Sequence, residues 1–166
     1  MSVPSIISAA RDRGLTVARR LAWLAPLVGR ITLGVLFVST GWGKVHSLAK
    51  VTAFFTDLGI PAPGLNAHVV SFVELIGGAL LVIGLASRLA ALPLMVSMAV
   101  AILTAQRDQI HALPDLFGLV EWTYLALLLW VAIAGPGKVS LDYALSRRAA
   151  PQGKVPVDAA LAAKAV

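Results

Sequence analysis

The sequence predicts an all-α integral membrane protein: a four-helix transmembrane bundle with a short interfacial helix on its outer side. Three observations carry this. Apolar residues make up 58% of 166 and charged residues only 13%, about half the share of a soluble domain. A chain this small has too much surface for so few charges to keep it in water. Four apolar segments of 18 to 23 residues stand out, at 21–43, 67–87, 89–106 and 116–137, and a spanning helix needs about 20. Finally, Lys and Arg gather beyond the ends of those segments, which is the mark of topology and not of a nucleic-acid surface. The lipid bilayer is therefore an expected partner and nucleic acid is not. The absence of cysteine excludes disulfides, thiol redox chemistry and thiolate-held metal centres.

The first segment is interrupted only by Arg30. Its basic lead, with Arg11, Arg13, Arg19 and Arg20, is long, and the apolar run exceeds that of a signal peptide. It reads as an uncleaved first span. Residues 1–20 form a basic cytoplasmic segment, 21–142 the membrane domain and 143–166 a cytoplasmic tail. The positive-inside rule places both termini in the cytoplasm, because Arg88, Lys138, Arg147 and Arg148 then share the inner side with the N-terminal arginines. A bacterial-type plasma membrane fits this multi-pass arrangement.

The connections differ in kind. Within the 44–66 loop, Leu48, Val51, Phe54, Phe55 and Leu58 fall at helical spacing, and Gly59, Pro61 and Pro63 follow as stop signals. This predicts an amphipathic helix on the outer interface. The 86–88 link is very short and makes spans two and three an antiparallel pair. After Gly135-Pro136-Gly137, Ser140 is placed to cap a short helix running to Leu145.

Ionisable residues inside spans are costly and are functional candidates. Glu74 and Glu121 lie ~10 Å and ~8 Å from the outer ends of their segments at 1.5 Å per residue, so two carboxyls share one depth. They are the candidate proton-handling, catalytic residues. Arg30 lies ~20 Å from the same face. It shares a stripe with Gly34, Phe37, Gly41 and Lys44, and Glu74 shares another with Gly77, Leu81, Gly84 and Arg88. Small residues on those stripes allow close helix packing. Lys44 and His46 stand where they could contact a carbonyl group, and Arg30 joins them as a candidate cofactor-binding residue. Tyr124 and Trp42 could flank a planar ligand. His46, His68 and His111 all fall on the outer side without ligand spacing, so no metal site is expected.

These spaced features together resemble the DoxX family of small membrane proteins. Arg30-x3-Gly34-x6-Gly41-x2-Lys44 is similar to the family's first helix, and Phe55-x2-Leu58-Gly59-Ile60-Pro61 to its outer loop. Glu74-x2-Gly77-Gly78 and Gly84-x2-Ser87-Arg88 resemble its second helix and tight turn, and Gly135-Pro136-Gly137-x2-Ser140-Leu141-Asp142 its ending. The resemblance implies a four-helix membrane fold and an association with redox complexes, including quinol oxidase and thiosulfate–quinone oxidoreductase subunits. It carries no reaction with it.

The functional expectation is a redox-associated subunit that binds quinone or a similar lipid-soluble carrier. With no metal or flavin motif, it needs a redox partner protein to supply electrons. The alternative is a non-catalytic anchor or assembly factor for a partner complex. A solute or proton pathway is a third reading, which would need a homo-oligomer because four helices enclose little room.

Overall fold

A computed structural model describes residue 11 and residues 14–149. Most of the expected basic N-terminal segment and the tail from 150 onward lie outside the described residues. The described chain is helical and has no strands. A helical stretch over residues 14–21 turns at 22–23 into α1, Leu24–Val45. Then come α2 (Leu48–Asp57), α3 (Pro63–Ile83) and α4 (Ser87–Thr104). A 3-10 turn at Arg107–Gln109 leads to α5 (Leu113–Gly118), α6 (Val120–Ala134) and α7 (Leu141–Ala149).

Three helices, those ending at Val45, Ile83 and Thr104, are long and apolar enough to cross a membrane. The fourth apolar helix, α6, has 15 residues and spans only ~22 Å. The run expected to be continuous from Leu116 breaks at Leu119, which takes an extended conformation (φ −70°, ψ 138°). Gly118 precedes that break, and Pro114 starts the separate turn of α5. Asp115 caps α5 by accepting the amides of His111 (3.0 Å) and Ala112 (2.8 Å). These two donors hold the Asp115 carboxyl below its usual range.

Large apolar side chains point outward from the bundle. Ile76, Leu92, Val96, Leu103 and Ile133 are each more than half exposed. A water-facing surface would not carry them in this density, whereas lipid accepts them. The fold is an all-α membrane bundle.

The packing is strongly paired. α1 lies along α3, and α4 lies along α6. The first pair meets backbone to backbone. A Cβ on Gly78 would sit 2.6 Å from the Val38 amide nitrogen, and one on Gly34 would sit 2.9 Å from the Gly78 carbonyl oxygen. Only glycine allows this approach. Leu33 and Phe37 of α1 then meet Leu81 of α3, Ala91, Leu94 and Met98 of α4, and Leu128 and Val131 of α6 in one core.

At the end of the bundle that carries the basic residues, α3 stops at Gly84 in the left-handed region (φ 71°). The amides of Gly84 and Leu85 reach back to the Leu80 carbonyl, at 2.9 and 3.0 Å. Ala86 also has positive φ (47°), which a non-glycine residue adopts at a cost of about 1–2 kcal/mol. A distant residue holds it there. Asp142 accepts the amides of Ala86 (2.8 Å) and Ser87 (3.2 Å), and its own amide donates to the Gly84 carbonyl at 3.0 Å. This caps α4 from the start of α7.

Gly78→Val is expected to lower stability by at least ~2 kcal/mol, the range of an overpacked core, because backbone atoms cannot step aside. Gly43→Ala, with nothing within 4 Å of the new methyl, should be neutral or stabilise by up to ~1 kcal/mol through helix propensity. Unfolding of the two variants in the same detergent distinguishes them.

Candidate functional site

The glycine seam determines which polar groups meet. A Cβ on Gly41 would collide with the Leu75 amide nitrogen and lie 3.0 Å from the Glu74 carbonyl carbon. Lys44 follows Gly41 by three residues and so stands beside Glu74. Its Nζ is 2.5 Å from Glu74 Oε1. Lys44 lies two turns beyond Phe37, and Glu74 lies two turns from Leu81, each on its helix's core-facing side. The ion pair thus tops the apolar core at the end opposite the basic one.

The two partners differ in exposure. The Glu74 side chain is 2% exposed and that of Lys44 is 33%. A buried carboxylate needs its charge paired, and Lys44 does this from a side chain that is itself partly exposed. Glu74 Oε2 is buried without a hydrogen-bond partner. A buried polar atom left unpaired is uncommon in a native fold and calls for an explanation. Ser71, one turn along α3, is also buried, but its hydroxyl donates to the Ala67 carbonyl at 2.6 Å. Tyr124 of α6 packs edge-on against Phe37, with ring centroids 6.1 Å apart.

Glu121 has other company. As the second residue of α6 it lies at the helix start, not a turn and a half inside it. Gln106, just past α4, donates to Glu121 Oε1 at 2.8 Å, and Gln109 in turn donates to Gln106. Glu121 and Glu74 share no hydrogen bond among the described residues. The two carboxyls are held by separate partners on separate helix pairs.

The expected carrier-binding residues are also dispersed. Arg30 is fourteen residues from Lys44 along α1, or ~21 Å. Its guanidinium donates to the carbonyls of Val139 (2.8 Å) and Pro136 (3.2 Å). It lies so close to Gly84 that a Cβ there would strike it. Arg30 is thus a brace at the basic end and does not reach either glutamate. His46 folds back on its own helix, with Nδ1 2.9 Å from the Trp42 carbonyl and its ring tilted over Trp42 at 4.4 Å. Positions 44 and 46 are ~200° apart around a helix, so His46 faces away from the Lys44–Glu74 pair. Among the described residues no three metal-ligating side chains come together.

Two functional contacts had weak signals in the sequence. Gln106 is the polar residue that ends an apolar run, and Asp142 follows a Gly-Pro-Gly turn, yet neither spacing tells which distant group it meets. An apolar groove of about 580 Å³ lies on the other side of the α1–α3 seam, lined by Val35, Val38, Trp42, Ala79, Val82 and Ile83 among others.

Comparison with known proteins places the chain in a family. The DoxX family model matches residues 25–107. The chain is 28% identical over 133 residues to "Inner membrane protein YqjF" of Escherichia coli (strain K12), covering 78% of this chain and 98% of that protein. It is 29% identical over 121 residues to "Putative oxidoreductase CatD" of Bacillus subtilis (strain 168), covering 72% and 85%. It is 30% identical over 131 residues to "Uncharacterized membrane protein Rv3486" of Mycobacterium tuberculosis (strain ATCC 25618 / H37Rv), covering 72% and 80%. No solved structure matches the chain significantly.

The geometry makes Lys44→Met more damaging than its exposure suggests, since it leaves a buried carboxylate uncompensated. A loss of about 3–5 kcal/mol is expected. Adding Glu74→Gln should recover at least ~1 kcal/mol of it. Stability curves for the two single variants and the double variant measure this coupling, and additive losses would show that the pair does not interact.

Proposed function

The chain belongs to the DoxX family, and on that footing we propose that it is a redox-associated membrane subunit that binds quinone or a similar lipid-soluble carrier at the Lys44–Glu74 pair. The observation that carries this reading is the unpartnered Glu74 Oε2 beside a Lys44 side chain that is partly exposed. A quinone ring has two carbonyl oxygens and an apolar face. Lys44 is a donor for one carbonyl. Glu74 Oε2 is an acceptor for the hydroxyl that forms when the ring is reduced. Tyr124, which packs edge-on against the buried Phe37, supplies aromatic surface from the neighbouring helix.

Reduction of a quinone to a quinol takes two electrons and two protons. Glu74 is suited to pass protons. The electrons come from a partner subunit. The name of the Bacillus subtilis relative, which calls that protein an oxidoreductase, supports the redox assignment. Glu121, held by Gln106 at the same end of the bundle, is the second candidate in the proton route.

The setting we propose is the bacterial plasma membrane, with both termini in the cytoplasm. Basic residues at the 84–88 turn and in α7 support that orientation, as does the inner-membrane name of the Escherichia coli relative. The Lys44–Glu74 pair then opens toward the outer side.

Organic extraction of the gently purified protein, followed by mass spectrometry, is expected to yield quinone near one per chain. With the carrier held reduced, Glu74→Gln should lower its occupancy severalfold, the loss of the charge-assisted hydrogen bond from the quinol hydroxyl, while leaving the protein folded. Lipid alone from the wild type, or unchanged quinol in Glu74→Gln, would contradict the proposal. A Glu74→Gln protein that keeps its quinol and loses co-purifying partners would point to the anchoring role instead.

A further inference from the structure

The basic end carries a second pocket that the redox reading does not use. It is an open cleft of about 530 Å³ between the start of α4, the 135–140 segment and α7. Arg88, Lys138, Ser140, Tyr143 and Ser146 line it, together with Asp142 and the backbone of Gly135 to Gly137. We propose that this cleft binds a phosphate-bearing anion, supplied by the headgroup of an anionic phospholipid.

Arg88 and Lys138 make no hydrogen bond or ion pair with the described residues. The Arg88 side chain is exposed, and its guanidinium sits at the cleft wall. It lies across Gly135, where a Cβ would come within 3.1 Å of its Nε and one terminal nitrogen. Gly135 has φ +83° and lacks a side chain, so the guanidinium can lie flat over the turn at the cleft wall. A planar fork with no carboxylate partner suits a phosphate.

Asp142 also lines the cleft and would repel an anion if its charge were unopposed. Both its oxygens are occupied by the amides of Ala86 and Ser87, and the Arg30 charge acts on it from behind. The amide dipoles and the Arg30 charge offset part of its repulsion. Arg147, stacked 5.8 Å from the Tyr143 ring centroid, adds a further positive charge on α7. The cleft wall thus presents cations and hydroxyls at the end of an apolar bundle, where lipid headgroups lie. Basic pockets between membrane helices recognise acidic headgroups in this way. Acyl chains would run along Leu89, which is 70% exposed and lines the same cleft.

The test uses the full-length protein in nanodiscs of phosphatidylcholine with a minor share of phosphatidylglycerol. Lipids retained after delipidation are counted by native mass spectrometry. Wild type should retain phosphatidylglycerol in preference to phosphatidylcholine. Arg88→Gln with Lys138→Gln should reduce that preference by about fivefold for each basic side chain removed. Ser146→Asp, at an exposed helix position, should reduce it as well. Lys50→Gln with Arg107→Gln, at the opposite end, should leave it unchanged. A second arm adds sn-glycerol 3-phosphate to protein in phosphatidylcholine alone and reads thermal stability. Protection that depends on Arg88 and Lys138 in that arm, without a lipid preference, would show a soluble phosphate as the source and overturn the headgroup assignment. Equal retention of both lipids, or a preference that survives both cleft variants, would overturn the site.

Discussion

The closest constraint in this molecule is the contact between two backbones. α1 and α3 touch through Gly34, Gly41 and Gly78, with carbonyl and amide atoms where side chains would otherwise be. In lipid no solvent drives helices together, so close packing and polar contacts must do so. The seam provides the packing. It also sets the rotation and register of both helices, because three glycines must line up at once. Every other feature of the α1–α3 pair is a consequence of that register. Phe37 and Leu81 enter the core, Lys44 arrives beside Glu74, and Arg30 is left at the far end beside Gly84.

The basic end solves a different problem. α6 is about 22 Å long against a hydrocarbon thickness of about 30 Å. Its chain then turns at Gly135 and runs under the bundle. Irregular backbone at that depth needs partners, and Arg30 donates hydrogen bonds to two of its carbonyls. Asp142 returns the tie by capping the 84–88 turn. A buried arginine thus holds a non-helical segment in place. The same segment forms one wall of the basic cleft, so the brace and the proposed headgroup site share their architecture.

Much of this was legible in the residues, and the misses have physical causes. The stripe through Arg30, Gly34, Phe37 and Gly41 is buried along its length, since period 3.6 and small residues mark a packing face directly. The interfacial helix expected from Leu48 onward is present as α2. Glu74, Gly77, Leu81 and Gly84 are buried as one face too, yet Arg88 at the end of the same stripe is exposed. The left-handed turn at Gly84 ends the helix and breaks the periodicity before it. Hydropathy could not detect the break at Leu119, because the residues on both sides are apolar and only the backbone changes. That break moves Glu121 to a helix start and separates it from Glu74. The Lys44–Glu74 pair was hidden for a further reason. Both residues were visible as charges, but their contact is between segments thirty residues apart, and no local pattern encodes it.

The two polar ends now have distinct characters. One has a buried carboxylate with one oxygen paired and the other unpartnered, next to a lysine that is partly exposed. The other has cations laid open around a turn whose only carboxylate is already engaged. The first suits a carrier that changes its protonation, and the second suits a fixed anion. Photo-cross-linking with an azido-quinone, followed by peptide mapping, tests the central assignment most directly. The account predicts that label concentrates on the peptides around Lys44 and Glu74, with Tyr124 as the contact from α6, and that unlabelled quinone competes it away. Label confined to lipid-facing positions such as Leu92, Val96 and Ile133, or to the basic end, would contradict it.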